Sequence, residues 1–147
     1  MINLNKIDKS KFINSPFIIR VEKPWGHEII FTQPDLPYTG KIIFIKAGKK
    51  LSLQIHDEKQ ESCFLVSGDC NLIVENTKGE LETVQMKSEK GYTIKKGQKH
   101  RYQAITDCQM FEVSTPEIGI THRLEDDYDR PDETQKFRVQ ERGLSED

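Results

Sequence analysis

Four residues of this chain have the types and spacing for shared chemistry: Gln54, His56, Glu61 and His100. The first three lie in Gly48-x5-Gln54-x-His56-x4-Glu61-x6-Gly68. Residues two apart on a strand share a face and stand roughly 6–7 Å apart, so Gln54 and His56 point the same way. A short turn can return Glu61 to the same spot on the next strand. An amide oxygen, an imidazole and a carboxylate are three ligands of a metal site, and His100 is the candidate for the fourth. Such a set suits a borderline divalent ion: zinc first, then iron, manganese, cobalt or nickel. The same side chains would also serve a hydrogen-bonded polar pocket, and residue types alone leave both readings open.

The elements that must position these residues are strands. Leu51, Leu53 and Ile55 alternate with Ser52, Gln54 and His56, the period of a strand with two unlike faces. His100 opens a further strand after a break at Gly97, with Tyr102 and Ala104 on its face and Arg101 and Gln103 on the other. Upstream, PFIIRVEKPWGHEIIFT reads as two strands around Pro24 and Gly26, with Trp25 as a packing anchor, His27 exposed, and KIIFIKAG as the next strand. CNLIVENTKGELETVQM reads as a hairpin turning at Asn76–Gly79, and CQMFEVST closes the series. About ten short strands without a 3.6-residue apolar period predict an all-β sandwich or barrel. The division expected is an extended arm at 1–15, one domain at 16–130, and a charged tail at 131–147, mobile or forming a short helix.

A length of 147 residues suits one domain with a real core. A net charge of -2 with 31% charged residues gives no nucleic-acid footprint. No apolar run approaches the roughly 20 residues of a membrane span, and the N-terminus lacks a signal-peptide core. Cys63, Cys70 and Cys108 are odd in number and lack C-x-x-C spacing, which predicts reduced thiols and a cytoplasmic protein. Leu51, Leu53, Ile55, Phe64 and Val66 are expected on an apolar outer face, covered by the N-terminal strands or a second subunit; a homodimer is the expectation.

The central motif resembles the first cupin motif, G-x5-H-x-H-x3,4-E-x6-G, with Gln54 in place of its first histidine. Lys95-x-Gly97-x-x-His100 resembles the second, P-x-G-x2-H; its leading glycine falls at Glu89 and its closing asparagine at Ala104. Glu22-Lys23-Pro24-Trp25-Gly26-His27-Glu28, Leu51-Ser52-Leu53-Gln54-x-His56, His100-Arg101 and Arg123-Leu124-Glu125-Asp126-Asp127-Tyr128-x-Arg130 are similar to blocks of the type II mannose-6-phosphate isomerase cupins, with Asp129 where those carry glycine. Asp57, Glu58 and Ser62 stand where many of those enzymes have histidines.

The resemblance implies a small stand-alone cupin, a jelly-roll β-barrel with its metal in the lumen, held by Gln54, His56, Glu61 and His100. It also implies a sugar or sugar phosphate as ligand, with aldose–ketose isomerisation of the mannose 6-phosphate type through an enediolate. Ser52 and Lys59 match a sugar-phosphate-lining segment of the related type I enzymes; Tyr102 and Arg101 are further candidates for substrate binding. Lys59 and Glu61 are the candidates for moving the proton. The plainer readings make Lys59 a solvated turn lysine and Arg101 a partner of backbone or carboxylate. The alternative function is a non-catalytic, metal-containing carbohydrate-binding or regulatory cupin.

Overall fold

The computed structural model describes residues 1–144. Its eleven strands are β1 (Ile19–Lys23), β2 (Gly26–Ile30), β3 (Thr39–Ile45), β4 (Leu53–His56), β5 (Glu61–Ser67), β6 (Cys70–Glu75), β7 (Leu81–Gln85), β8 (Gly91–Ile94), β9 (His100–Ala104), β10 (Cys108–Ser114) and β11 (Thr121–Glu125), followed by helix α1 (Gln135–Glu141). They form two antiparallel sheets in the orders β1-β2-β3-β10-β5-β8 and β11-β4-β9-β6-β7. Residues β6 to β7 make the hairpin that the sequence predicts. The Asn76 side chain accepts from the backbone N–H groups of Lys78 and Glu80, and Gly79 takes the left-handed conformation at φ 79°.

The inward face changes character along the strands, and this change builds the site. On β10, Cys108 and Met110 point into the core, whereas Glu112 and Ser114 point in further along. On β3 the inward series runs Ile45, Ile43, Lys41, and on β5 it runs Leu65, Cys63, Glu61. One end of the interior is thus an apolar core of Ile43, Ile45, Leu65, Leu72, Ile94 and Met110, joined by Trp25 and Tyr102. Full burial of each such aliphatic side chain stabilises the fold by roughly 1.5–3 kcal/mol. The other end is a charged lumen. All three cysteines are free and buried.

Two expectations about surfaces change. Leu51 and Leu53 are buried, and Leu51 belongs to the core cluster. Because β4 and β5 lie in different sheets, their side chains make no shared outer face. The exposed apolar face belongs instead to the six-stranded sheet, where Phe111 pairs across the ladder with Phe64 on one side and Ile42 on the other. His27 is half-buried rather than exposed, with its ring stacked on Phe44 at 5.1 Å.

At the N-terminal end, residues 1–15 carry two exposed 3₁₀ turns, capped by the Asn3 and Asp8 side chains. At the other end, Thr134 caps α1 by accepting from the Phe137 N–H. Arg138 of α1 is buried; it donates to the carbonyls of Glu117 and Gly119 and pairs with Glu133. Within the charged C-terminal segment, α1 therefore packs against the loop between β10 and β11.

Candidate metal centre

Gln54, His56, Glu61 and His100 converge in the lumen. Gln54 and His100 face each other in the ladder between β4 and β9, and β5 brings Glu61 from the opposite sheet. His56 Nε2 lies 2.8 Å and His100 Nε2 3.1 Å from the same oxygen, Glu61 Oε1. Gln54 Nε2 is 3.5 Å from His56 Nε2 and 3.4 Å from His100 Nε2. Both imidazoles and the carboxylate are buried.

Each imidazole is held by its far nitrogen. His100 Nδ1 lies 3.0 Å from the Gln98 carbonyl, an acceptor, so Nδ1 is the donor there and Nε2 is the nitrogen turned to the lumen. His56 Nδ1 lies 2.9 Å from Thr121 Oγ1, the equivalent support supplied by β11. The turn before β9 is fixed by Gly97, at φ 77°, whose N–H donates to the His56 carbonyl.

These residues fit a divalent metal ion on three observations. The three nitrogen and oxygen donors of His56, Glu61 and His100 lie within 4.8 Å of one another. Glu61 Oε2 is buried and has no hydrogen-bond partner. Burial, only partly offset by Glu61, lowers the basicity of His56, favouring the neutral imidazole that a metal needs. Gln54 Oε1 accepts from Ser52 Oγ at 2.8 Å. An amide turned end for end would present its oxygen to the imidazoles and donate to the same Ser52 hydroxyl.

Around the donors lies a ring of buried charge. Lys59 Nζ is 3.2 Å from Glu112 and 3.5 Å from Glu117; Lys41 Nζ contacts Glu117 and lies 3.4 Å from Glu28. Lys59 is therefore a buried lumen residue, not a solvated turn lysine. Burial opposes its charge, but Glu112, Glu61 and Glu117 outweigh burial and hold the ammonium well above the usual lysine range. Burial would raise the Glu61 carboxyl, yet Lys59 leads the groups that hold it well below the carboxylate range. Glu112 goes the other way: burial first and anionic Glu61 second push it well above that range.

Of the remaining candidates, Ser52 and Tyr102 also line the lumen, and the Tyr102 hydroxyl is buried without a hydrogen-bond partner. Arg101 does not line it. Its Nε donates to the Leu51 carbonyl and its Nη1 to Glu125, because alternate residues of β9 face opposite ways. Arg130 makes a two-toothed pair with Asp126, and Arg123 pairs with Glu133 at the lumen mouth. The space left is a cavity of about 40 Å³.

Lumen residues that the motifs did not single out are Lys41, Glu112, Glu117 and Thr121. Glu112 had a readable signal: in CQMFEVST it occupies the phase of Cys108 and Met110, which places it inward. Thr121 and Glu117 had none, since the strand and loop that carry them lack apolar alternation.

Comparison with solved structures finds the same fold in other proteins. The oxalate decarboxylase of Lactobacillus farciminis, solved as a formate complex, is 19% identical, with a TM-score of 0.66 over 78% of this chain and 37% of that one. Bacillus subtilis oxalate decarboxylase, described with Mn(II) centres, is 16% identical with a TM-score of 0.67 over 92% of this chain and 38% of that one. KdgF from Halomonas sp. is 15% identical with a TM-score of 0.55, over 65% of this chain and 82% of that one. This chain thus spans little more than a third of the decarboxylases it matches. No curated protein sequence matches it. The sequence description "Mannose-6-phosphate isomerase C-terminal" matches residues 14–133, a span that holds every strand from β1 to β11 and all four convergent donors. With fold, site strands and sequence in agreement over that span, the chain belongs to the mannose-6-phosphate isomerase C-terminal family of cupins.

Proposed function

We propose that this cupin is a metal-dependent sugar-phosphate isomerase that interconverts an aldose phosphate and its ketose, of the mannose 6-phosphate and fructose 6-phosphate type. The observation that carries the reading is the convergence of Gln54, His56, Glu61 and His100 beside the buried ammonium of Lys59, in a chain of this family. Those four residues would hold the ion, zinc first in order of preference. When bound, the ion supplies Lewis acidity to oxygens that gain negative charge during isomerisation.

The chain's own residues do the rest. Isomerisation removes a proton from C2 of the aldose and delivers one to C1, with no net change in redox state. Lys59 stays an ammonium and so serves as a cation and hydrogen-bond donor to the oxygens or phosphate of the ligand. With Lys59 protonated, Glu61 is the remaining candidate to take the travelling proton, beside Glu112, whose carboxyl burial pushes up. Ser52 fixes the Gln54 amide, and Tyr102 offers an unspent hydroxyl to a sugar oxygen. The exposed Phe64, Phe111 and Val113 support a homodimer built on the six-stranded sheet.

A second reading, a non-catalytic metal-containing carbohydrate-binding cupin, is favoured by the small lumen cavity, well below the roughly 300 Å³ at which ligand pockets begin. Metal analysis followed by a coupled assay of mannose 6-phosphate conversion separates the two. Bound zinc that His56→Ala abolishes, together with turnover, supports the isomerase. Zinc without turnover on any hexose phosphate selects the second reading.

A further inference from the structure

Glu117 lies in the loop between β10 and β11, yet its side chain is buried in the lumen. Its carboxylate takes three cations: Lys41, Lys59 and Arg142. The lysines come from the lumen wall and Arg142 from just beyond α1. Arg138 pins the same loop from outside through the carbonyls of Glu117 and Gly119. Gly119 sits at φ 72°, and a Cβ there would collide with the Asp57 carboxylate, so this closed position requires glycine.

There is space on both sides of this carboxylate. Inward, Glu117 lines the cavity of about 40 Å³ with Lys41 and Lys59. Outward, it lines a second cavity of about 230 Å³ with Thr32, Pro34, Pro116 and Arg142. Glu117 is thus common to the walls of both.

We propose that Glu117 is a displaceable internal ligand: it fills an anion seat made by Lys41 and Lys59, and the carboxylate or phosphate of an incoming ligand takes its place as the loop swings outward. Carboxylate and phosphate oxygens both accept from ammonium groups, so exchange leaves the buried lysines paired. Withdrawal of Glu117 without a replacement would leave buried ammonium charge under-compensated, which keeps the empty lumen closed. Outward motion joins the two cavities into one that approaches the size of a small-molecule pocket. The inference rests on the lumen being the ligand site, but not on turnover.

The test is calorimetric titration of the full chain with inorganic phosphate. Glu117→Gln removes the internal competitor and is expected to bind phosphate about tenfold or more tightly than the native chain. Arg142→Met leaves Glu117 in place but loosens it, and an intermediate gain is expected. Adding Lys41→Met to Glu117→Gln should return the affinity to the native value or below, which distinguishes this seat from phosphate bound to metal. The proposal is overturned if neither Glu117→Gln nor Arg142→Met binds phosphate more tightly than the native chain, or if Lys41→Met leaves the gain intact. If Glu117→Gln fails to fold by circular dichroism, Arg142→Met decides alone. A native chain that turns over no sugar phosphate would sink the isomerase reading and leave these phosphate results standing.

Discussion

Gln54 and His100, 46 residues apart in sequence, are direct partners in the ladder between β4 and β9, with Gln54 Nε2 3.4 Å from His100 Nε2. One rung of the sheet therefore sets the relative position of two of the four donors. A slip of one residue between the two strands would put Gln54 and His100 on opposite faces of the sheet. The site depends on strand register before it depends on any side-chain contact.

The donor set makes the first prediction. His100→Ala and Glu61→Gln should each abolish stoichiometric metal binding while leaving β content unchanged, as read by elemental analysis and circular dichroism. Metal retained at the native level in both would remove the centre from the lumen.

Thr121 supports His56 through Nδ1, the one side-chain hydrogen bond of its hydroxyl among the described residues. Thr121→Val keeps the shape and removes that hydrogen bond. The expected result is a loss of about ten- to a hundredfold in metal affinity, measured by competition with a chromogenic chelator, with little change in melting temperature.

Glu89 and Asp129 adopt left-handed backbone conformations, at φ 61° and φ 53°. They are the two positions where the resembled family motifs carry glycine and this chain does not. A side chain in this region costs roughly 1 kcal/mol, less for aspartate, against which glycine adds chain entropy to the unfolded state. Glu89→Gly should therefore raise stability by about 0.5 kcal/mol in urea unfolding, and Asp129→Gly should change it less. A loss of stability in Glu89→Gly would show that its side chain outweighs its backbone.

Acid should weaken the closure of the lumen. Burial alone would raise the Glu133 carboxyl, but Lys23, Lys41 and Arg138 bring it down to about 2 from an ordinary 4.5. A depressed folded value means stability that is present above pH 4.5 and is lost as pH falls toward 2, worth roughly 3 kcal/mol for this group. Glu117, held low by Lys41, Lys59 and Arg142 against the opposing effect of burial, acts in the same direction. Melting temperature should fall steeply below pH 4.5, and Glu133→Gln should flatten that slope.

The apolar face of the six-stranded sheet yields a prediction about association. Phe111 is 43% and Val113 60% exposed on its central strand. Light scattering should give a dimer for the native chain and a monomer for Phe111→Glu. A monomeric native chain would leave that face without a partner of its own kind.

How much of this was readable from the sequence follows from what each strand faces. β3, β5 and β10 carry apolar residues toward the core for part of their length, so their period of two is visible. β11 was missed because it turns Thr121 and Arg123 toward a polar lumen and shows no apolar alternation, leaving only the charged closing block of the family motif. The donors were legible because each sits at fixed spacing within a strand-like run. The lumen position of Lys59 came only from the family resemblance, since a lysine in a turn gives no hint that Glu112 and Glu117, more than fifty residues later, enclose it. Arg101 was assignable from strand phase alone, opposite to His100, and its partners agree with that phase.

The enclosed lysines have a kinetic consequence. Their charge is offset within the lumen by Glu28, Glu61 and Glu117, and the chain as a whole carries a net charge of -2. Such a molecule projects little positive field into solvent, so an anionic ligand gains no long-range attraction on approach. Its capture is then set by how often the loop opens. The association rate should lie at or below the roughly 10⁵–10⁶ M⁻¹s⁻¹ of unsteered encounters and change little between low and high salt.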